Sequence, residues 1–170
     1  LETPLRLYVP STPRPYLPDP NGVARVLKAN LEAVGLKIKL IEQPFEKHLY
    51  DLRRGVHDLA LHGWVGDNGD PDNYLYVLFD RNNATPGFAR NIAFFRDPEL
   101  HGLLTLAQES ESRDERERIY ARAQELIARE APWVPLAHSQ VAIAARRDVG
   151  GVTISATTHI PYRRVVRLRR

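Results

Sequence analysis

The densest run of chemically capable residues is Gly63-Trp64-Val65-Gly66-Asp67-Asn68-Gly69-Asp70-Pro71-Asp72-Asn73, with three carboxylates and three glycines in eleven residues. Such a segment is an acidic, sharply turning loop. A calcium loop of the EF-hand type fails, because counting from Asp67 its third ligand position falls on Gly69. Two uses of the loop remain open. Asp67 can present a carboxylate to a cationic ligand group, or the aspartates can do turn work, with Asp70 or Asp72 capping a following helix. The second use is the commoner one for such residues. Trp64 can stack over a ligand or fill core space, and composition favours core. Arg14 lies in Pro13-Arg14-Pro15-Tyr16. The flanking prolines restrict the backbone, and a fixed guanidinium fork suits a carboxylate. The alternative is an ordinary loop arginine in an arginine-rich chain.

Other chemistries find little support. There is no Gly-x-Ser-x-Gly, and His138-Ser139 has no evident orienting acid. The six histidines (48, 57, 62, 101, 138 and 159) show no dense ligand spacing, so no metal is expected. Neither phosphate-cradling glycine motif is present, and no cofactor is expected. Without cysteine, disulfides, thiolate zinc sites and cysteine nucleophiles are excluded. The net charge of +3 is small for a nucleic-acid binder, although the tail Tyr162-Arg163-Arg164-Val165-Val166-Arg167-Leu168-Arg169-Arg170 keeps that class as a remote alternative. The same tail also suits an edge strand with a charged outer face.

The elements that position these residues follow from hydrophobic period. Residues 5–9 read as a strand, and five prolines between 10 and 20 forbid regular structure. Val23, Val26, Leu27, Leu31 and Val34 form a helical stripe, with Asp19 or Asn21 as cap and Gly35 as stop. Residues 37–41 read as a second strand, and Pro44 opens a helix with Phe45, Leu49 and Leu52 on one face, ended by Gly55. Residues 57–64 read as a third strand. Two consecutive βαβ units imply an α/β fold with a parallel sheet, whose ligands gather at the carboxyl ends of the strands. Those ends are the segments around Arg14 and Asp67. Further on, Asp97-Pro98 starts a helix with Leu100, Leu103, Leu104 and Ala107. Ser112 with Glu115 forms a capping box for another, with Ile119, Ala123, Leu126 and Ile127 inward. Residues 133–145 read as one long strand or two short ones.

A chain of 170 residues that is 43% hydrophobic and 26% charged suffices for one domain with a real core. It opens without Met, contains none, and shows no signal-peptide pattern, so it is expected to be a piece of something longer.

The acidic loop resembles the G-W-x-G-D-N-G-D-P-D-N segment of dipeptide-binding proteins in solute-binding protein family 5, the periplasmic ligand-capturing components of peptide ABC importers. Arg14-Pro15-Tyr16-x-Pro18 resembles the family's R-P-Y-x-P segment. Tyr120-Ala121-x-Ala123-Gln124 through Ala131-Pro132, and Leu136-Ala137-His138-Ser139, resemble its later helix end and strand. The likeness runs from about residue 5 to 160. It implies a periplasmic-binding-protein-like lobe: a parallel βαβαβ sheet with flanking helices and a long C-terminal return strand. By this likeness residues 1–150 are the second, inserted ligand-binding lobe, and 151–170 a return segment toward a first lobe outside this chain. The implied role is capture of short peptides by a non-enzymatic binding component, periplasmic or extracellular, that docks on an importer permease. No nucleic acid is implied as partner, and relatives of this kind also take longer peptides, metal chelates, haem or sugars. Carried over by position, Asp67 pairs with the ligand's α-ammonium and Arg14 with its carboxylate, while Trp64 and Tyr16 line the pocket. Such proteins often carry a disulfide just beyond the acidic loop. This chain has no cysteine there, so its loop 81–90 is expected to be looser or shaped for another ligand.

Overall fold

The computed structural model describes residues 3–138, 140, 142–155, 157 and 161–168. Its centre is a three-stranded parallel sheet in the order β2-β1-β3, built from β1 (Leu5–Pro10), β2 (Ile38–Gln43) and β3 (Leu59–Ala60). Leu5 is in register with Ile38, and Leu7 with both Leu40 and Leu59. Side chains alternate across β1. Leu7 and Val9 pack with Ala24 of α1 (Pro20–Ala33), whereas Tyr8 packs with Leu52 of α2 (Phe45–Arg53). The two helices therefore cover opposite faces of the sheet, as the βαβαβ reading required.

Local capping sets both helix lengths. Asp19 accepts from the Gly22 amide at 2.8 Å, and the approach is so close that a Cβ at Gly22 would lie 2.0 Å from the Asp19 carboxylate. At the far end, Gly35 adopts φ +89°. Its amide bonds the Glu32 carbonyl while that of Leu36 reaches Leu31, a Schellman ending. Gly55 closes α2 in the same way, through Leu52 and Asp51. The inward face of α2 differs from expectation: His48 and Leu52 are fully buried, while Leu49 is only half-buried. His48 lies one turn before Leu52, and its Nε2 lies 3.0 Å from the Leu61 carbonyl.

After the acidic loop, α3 (Asp72–Phe79), α4 (Pro98–Glu109) and α5 (Arg113–Glu130) enclose a second core around Leu78, Leu100, Leu104, Ala123 and Leu126. Asp97 caps α4 by accepting from the Leu100 amide at 2.7 Å. The expected capping box on α5 is half-formed. Ser112 accepts from the Glu115 amide, but the Glu115 carboxylate accepts from the Ser110 hydroxyl at 2.7 Å instead of reaching back to Ser112. Trp133 packs against this core and against the Tyr8–Leu52 cluster, joining the two regions.

Three strand expectations need correction. The third strand spans only Leu59–Ala60, because β1 is its one ladder partner and pairs with it over two residues. The described residues of 133–145 form no strand; Val134 and Leu136 are exposed and no neighbouring backbone ladders with them. In place of a long return strand there is β5 (Val166–Arg167), paired antiparallel with β4 (Val149–Gly150). Gly151, at φ +71°, ends that pairing where a Cβ would meet the Arg164 carbonyl at 1.8 Å. The likeness to a family strand through Ser139 falls partly outside the described residues.

Candidate functional site

The acidic loop is organised by one side chain absent from the sequence-based list. Asn73 Oδ1 accepts from the Trp64 indole Nε1–H at 3.0 Å and from the Asp67 amide at 2.8 Å. Its Nδ2 donates to Asp67 Oδ2 at 3.2 Å. One amide thereby fixes both Trp64 and Asp67. The Asp67 side chain is exposed and forms no ion pair among the described residues.

The other two aspartates do turn and clamp work. Asp70 Oδ1 accepts from the Asp72 amide at 2.9 Å, and Arg116 Nη2 donates to both Asp70 oxygens at 2.8 and 2.9 Å. The Asp72 amide and then Arg116 hold the Asp70 carboxyl below the usual carboxylate range. Asp72 accepts from Gln108 Nε2 at 2.8 Å. These contacts tie the loop to α4 and α5 and give Asp70 and Asp72 structural work.

Two of the three loop glycines serve close approach, and Gly69 faces open space. None of Gly63, Gly66 and Gly69 has positive φ. A Cβ on Gly63 would lie 2.3 Å from Tyr16 Cδ2, and one on Gly66 2.6 Å from the Tyr74 hydroxyl, which accepts from the Gly66 amide at 3.0 Å.

Arg14 and Tyr16 sit at the carboxyl end of β1 in a tight turn, with reciprocal Arg14–Leu17 backbone bonds of 2.9 Å. The Arg14 guanidinium carbon stands 3.8 Å from the centroid of the Phe45 ring, and its Nε is buried without a hydrogen-bond partner. Burial raises the Tyr16 hydroxyl's pKa, and neighbouring Arg14 opposes the rise. Tyr16 meets His62 edge-on, and His62 also meets His48 and Trp133. Burial pushes the imidazole pKa of His48 down to about 4 and that of His62 likewise to about 4, the latter helped by His48, Arg53, His57 and Arg14. Among the described residues no group of three or more His, Cys, Asp or Glu is placed to hold a metal ion.

Arg14 and Asp67 share no ion pair among the described residues; between them, Tyr16, two residues from Arg14, lies against Gly63, which precedes Trp64 in the acidic loop. Trp64 is half-buried against the helical core. The loop 81–90 is firmly held without a disulfide. Fully buried Asn91 donates to the Phe79, Asp80 and Phe95 carbonyls at 3.1, 3.2 and 2.8 Å, and Asp80 accepts from the Asn82 amide. Spacing could not expose Asn73, Arg116 or Asn91, since each acts through a partner that only folding brings near.

A parallel sheet covered on both faces is an α/β fold, and this one superposes on periplasmic binding proteins. The sequence profile of the bacterial extracellular solute-binding proteins, family 5 (middle region), matches residues 6–86. A probable di/tripeptide-binding protein 5 of Pseudomonas aeruginosa (strain UCBPP-PA14) is 33% identical over 148 residues, covering 87% of this chain and 28% of that protein. The dipeptide-binding protein from Pseudoalteromonas sp. SM9913, solved in complex with Met-Leu, superposes with a TM-score of 0.81 at 25% identity, covering 96% of this chain and 32% of that one. The ABC transporter-associated periplasmic binding protein DppA from Helicobacter pylori, in complex with peptide STSA, gives 0.76 at 27%, covering 97% and 31%. Residues 6–86 thus match the family 5 profile, and the chain is similar over most of its length to solute-binding proteins of this kind. It spans less than a third of the length of the curated relatives it matches. No helix among the described residues is long and apolar enough to cross a membrane.

Proposed function

We propose that this chain supplies a ligand-binding lobe to the substrate-binding component of a peptide ABC importer and captures short peptides by their charged termini. Residues 1–150 act as the lobe, and 151–170 as a segment returning toward the protein's first lobe. Asp67 takes the α-ammonium and Arg14 the carboxylate, with Trp64 and Tyr16 lining the space between. The complex works in the periplasm or outside the cell and docks on the importer's permease. The observation that carries this reading is Asp67: an exposed carboxylate without an ion pair among the described residues, held by Asn73 beside a tryptophan. Relatives named for binding di- and tripeptides, and a neighbour solved with Met-Leu, support short peptides as the ligand class.

Closure of the first lobe matters energetically. A charge-assisted hydrogen bond contributes roughly 1.5–3 kcal/mol when desolvated, against about 0–1 kcal/mol for a solvent-exposed ion pair. The test is calorimetric titration of the complete binding protein with Ala-Ala and N-acetyl-Ala-Ala. Asp67→Ala is expected to weaken Ala-Ala more than about tenfold, equivalent to roughly 1.4 kcal/mol, and to leave the acetylated peptide unaffected. Unchanged Ala-Ala affinity removes Asp67 from the site.

A further inference from the structure

We propose that Arg90 is a second ligand-binding cation of this site and gives it a preference for peptides that carry an acidic side chain. The inference rests on the peptide-binding reading above and adds to it a residue and a substrate class. Arg90 stands between two anchors, Ala89 at 1% exposure and Asn91 at 0%. Its own amide donates to the Asn83 carbonyl at 2.9 Å, and the amide of Asn91 donates to the same oxygen at 3.1 Å. The backbone carrying it is thus fixed, while its side chain is exposed.

That side chain is aimed at the site. The guanidinium carbon is 5.9 Å from the centroid of the Trp64 ring, and the Trp64 indole donates to the same Asn73 that holds Asp67. Asp67 and Arg90 are therefore linked through Asn73 and Trp64. Arg90 has no carboxylate partner among the described residues, whereas Arg6 and Arg116 pair with Asp58 and Asp70. Arg96, on the same stretch, donates to the Ala84 carbonyl. Arg14 belongs to a different wall, stacked on Phe45. A zwitterionic dipeptide uses one anion and one cation of the protein. The third charge is left for a carboxylate on the ligand's side chain, which a guanidinium fork on a fixed loop suits geometrically.

The test compares matched peptides that differ only in side-chain charge. Ala-Ala, Ala-Glu, Ala-Gln, Glu-Ala and Gln-Ala are titrated into the complete binding protein, wild type and Arg90→Gln. In the wild type, one Glu peptide is expected to bind about tenfold tighter than its Gln counterpart, the scale of one desolvated charge-assisted hydrogen bond. Arg90→Gln is expected to abolish that ratio while Ala-Ala affinity stays within about twofold. Equal thermal midpoints for the two proteins confirm folding. A wild type that binds Ala-Ala without any Glu/Gln preference, or a preference that survives Arg90→Gln, overturns the role of Arg90 alone. Failure of the wild type to bind any of these peptides overturns the peptide reading and this inference together.

Discussion

The two walls of the proposed site are built by different forces. On the acidic-loop wall, Asp67 is oriented by directional hydrogen bonds exchanged with Asn73, and the loop is anchored by Arg116 and Gln108. On the sheet wall, Arg14 lies on the Phe45 ring, next to Tyr16, the half-buried His62 and the buried His48. The difference follows from the groups presented. A carboxylate needs donors aimed at its lone pairs, whereas a planar guanidinium is held equally well by a flat aromatic face that leaves its N–H edges free. Walls so built should fail under different stresses.

Acid is the stress with the largest expected effect, and it should strike the sheet wall first. His48 and His62 are held neutral by burial, with pKa values near 4, and His57 is lowered as well. Unfolded imidazoles titrate near 6.5. Between these values the unfolded chain binds more protons than the folded one, so stability rises with pH in that window. It is full above about 6.5 and is lost as pH falls toward 4, each imidazole contributing up to about 1.4 kcal/mol per pH unit. The Asp70–Arg116 clamp has the same sign but a lower window: its carboxyl is held below the ordinary carboxylate range, so its contribution is lost only at more acid pH. Amide exchange at pH 6.5 and 4.5 should therefore show protection lost around β1, α2 and β3 before α4 and α5. Uniform loss across both regions would contradict the division.

The hydrogen-bonded wall is addressed by Asn73→Ala. The change removes the acceptor for the Trp64 indole and the Asp67 amide, and the donor to the Asp67 carboxylate. At this half-exposed position water replaces part of what is lost, so we expect destabilisation of about 1 kcal/mol. Peptide affinity should fall several-fold, and only through Asp67. In an Asp67→Ala background the same substitution should cost no further affinity. An equal loss in both backgrounds would mean that Asn73 supports the wall as a whole.

How much of this could be read from the chain alone depends on the range of the interactions. Caps and stops were legible because Asp19, Gly35, Gly55 and Asp97 act on residues within a few positions, where spacing is geometry. The parallel βαβαβ order was legible because apolar period and turn residues are local as well. Strand extent was not. A strand exists only where another backbone offers a ladder, and residues 133–145 have a strand-like composition with no such neighbour among the described residues. Nor was the inward turn of His48, since burying imidazole in place of Leu49 depends on the Leu61 carbonyl thirteen residues away. Arg14 and Asp67, the residues of the proposed site, stood out by motif. Asn73 was hidden as one more turn residue, and Arg116 lies 46 residues from the aspartate it clamps.

The smallest effect is expected where the sheet wall relies on an aromatic face. Phe45→Leu keeps an apolar side chain beneath Arg14 but removes the π face that stands 3.8 Å from the guanidinium carbon. A cation–π contact at a partly exposed position contributes about 0.5–1 kcal/mol. The loss should be no greater, because the reciprocal Arg14–Leu17 backbone bonds and the flanking prolines still fix the turn. Peptides with a free carboxylate should therefore weaken only a few-fold, and C-terminal amides not at all. If Phe45→Leu instead weakens them as much as Arg14→Ala does, the ring and not the turn positions the guanidinium. The sheet wall would then depend on a single contact, as the acidic wall depends on Asn73.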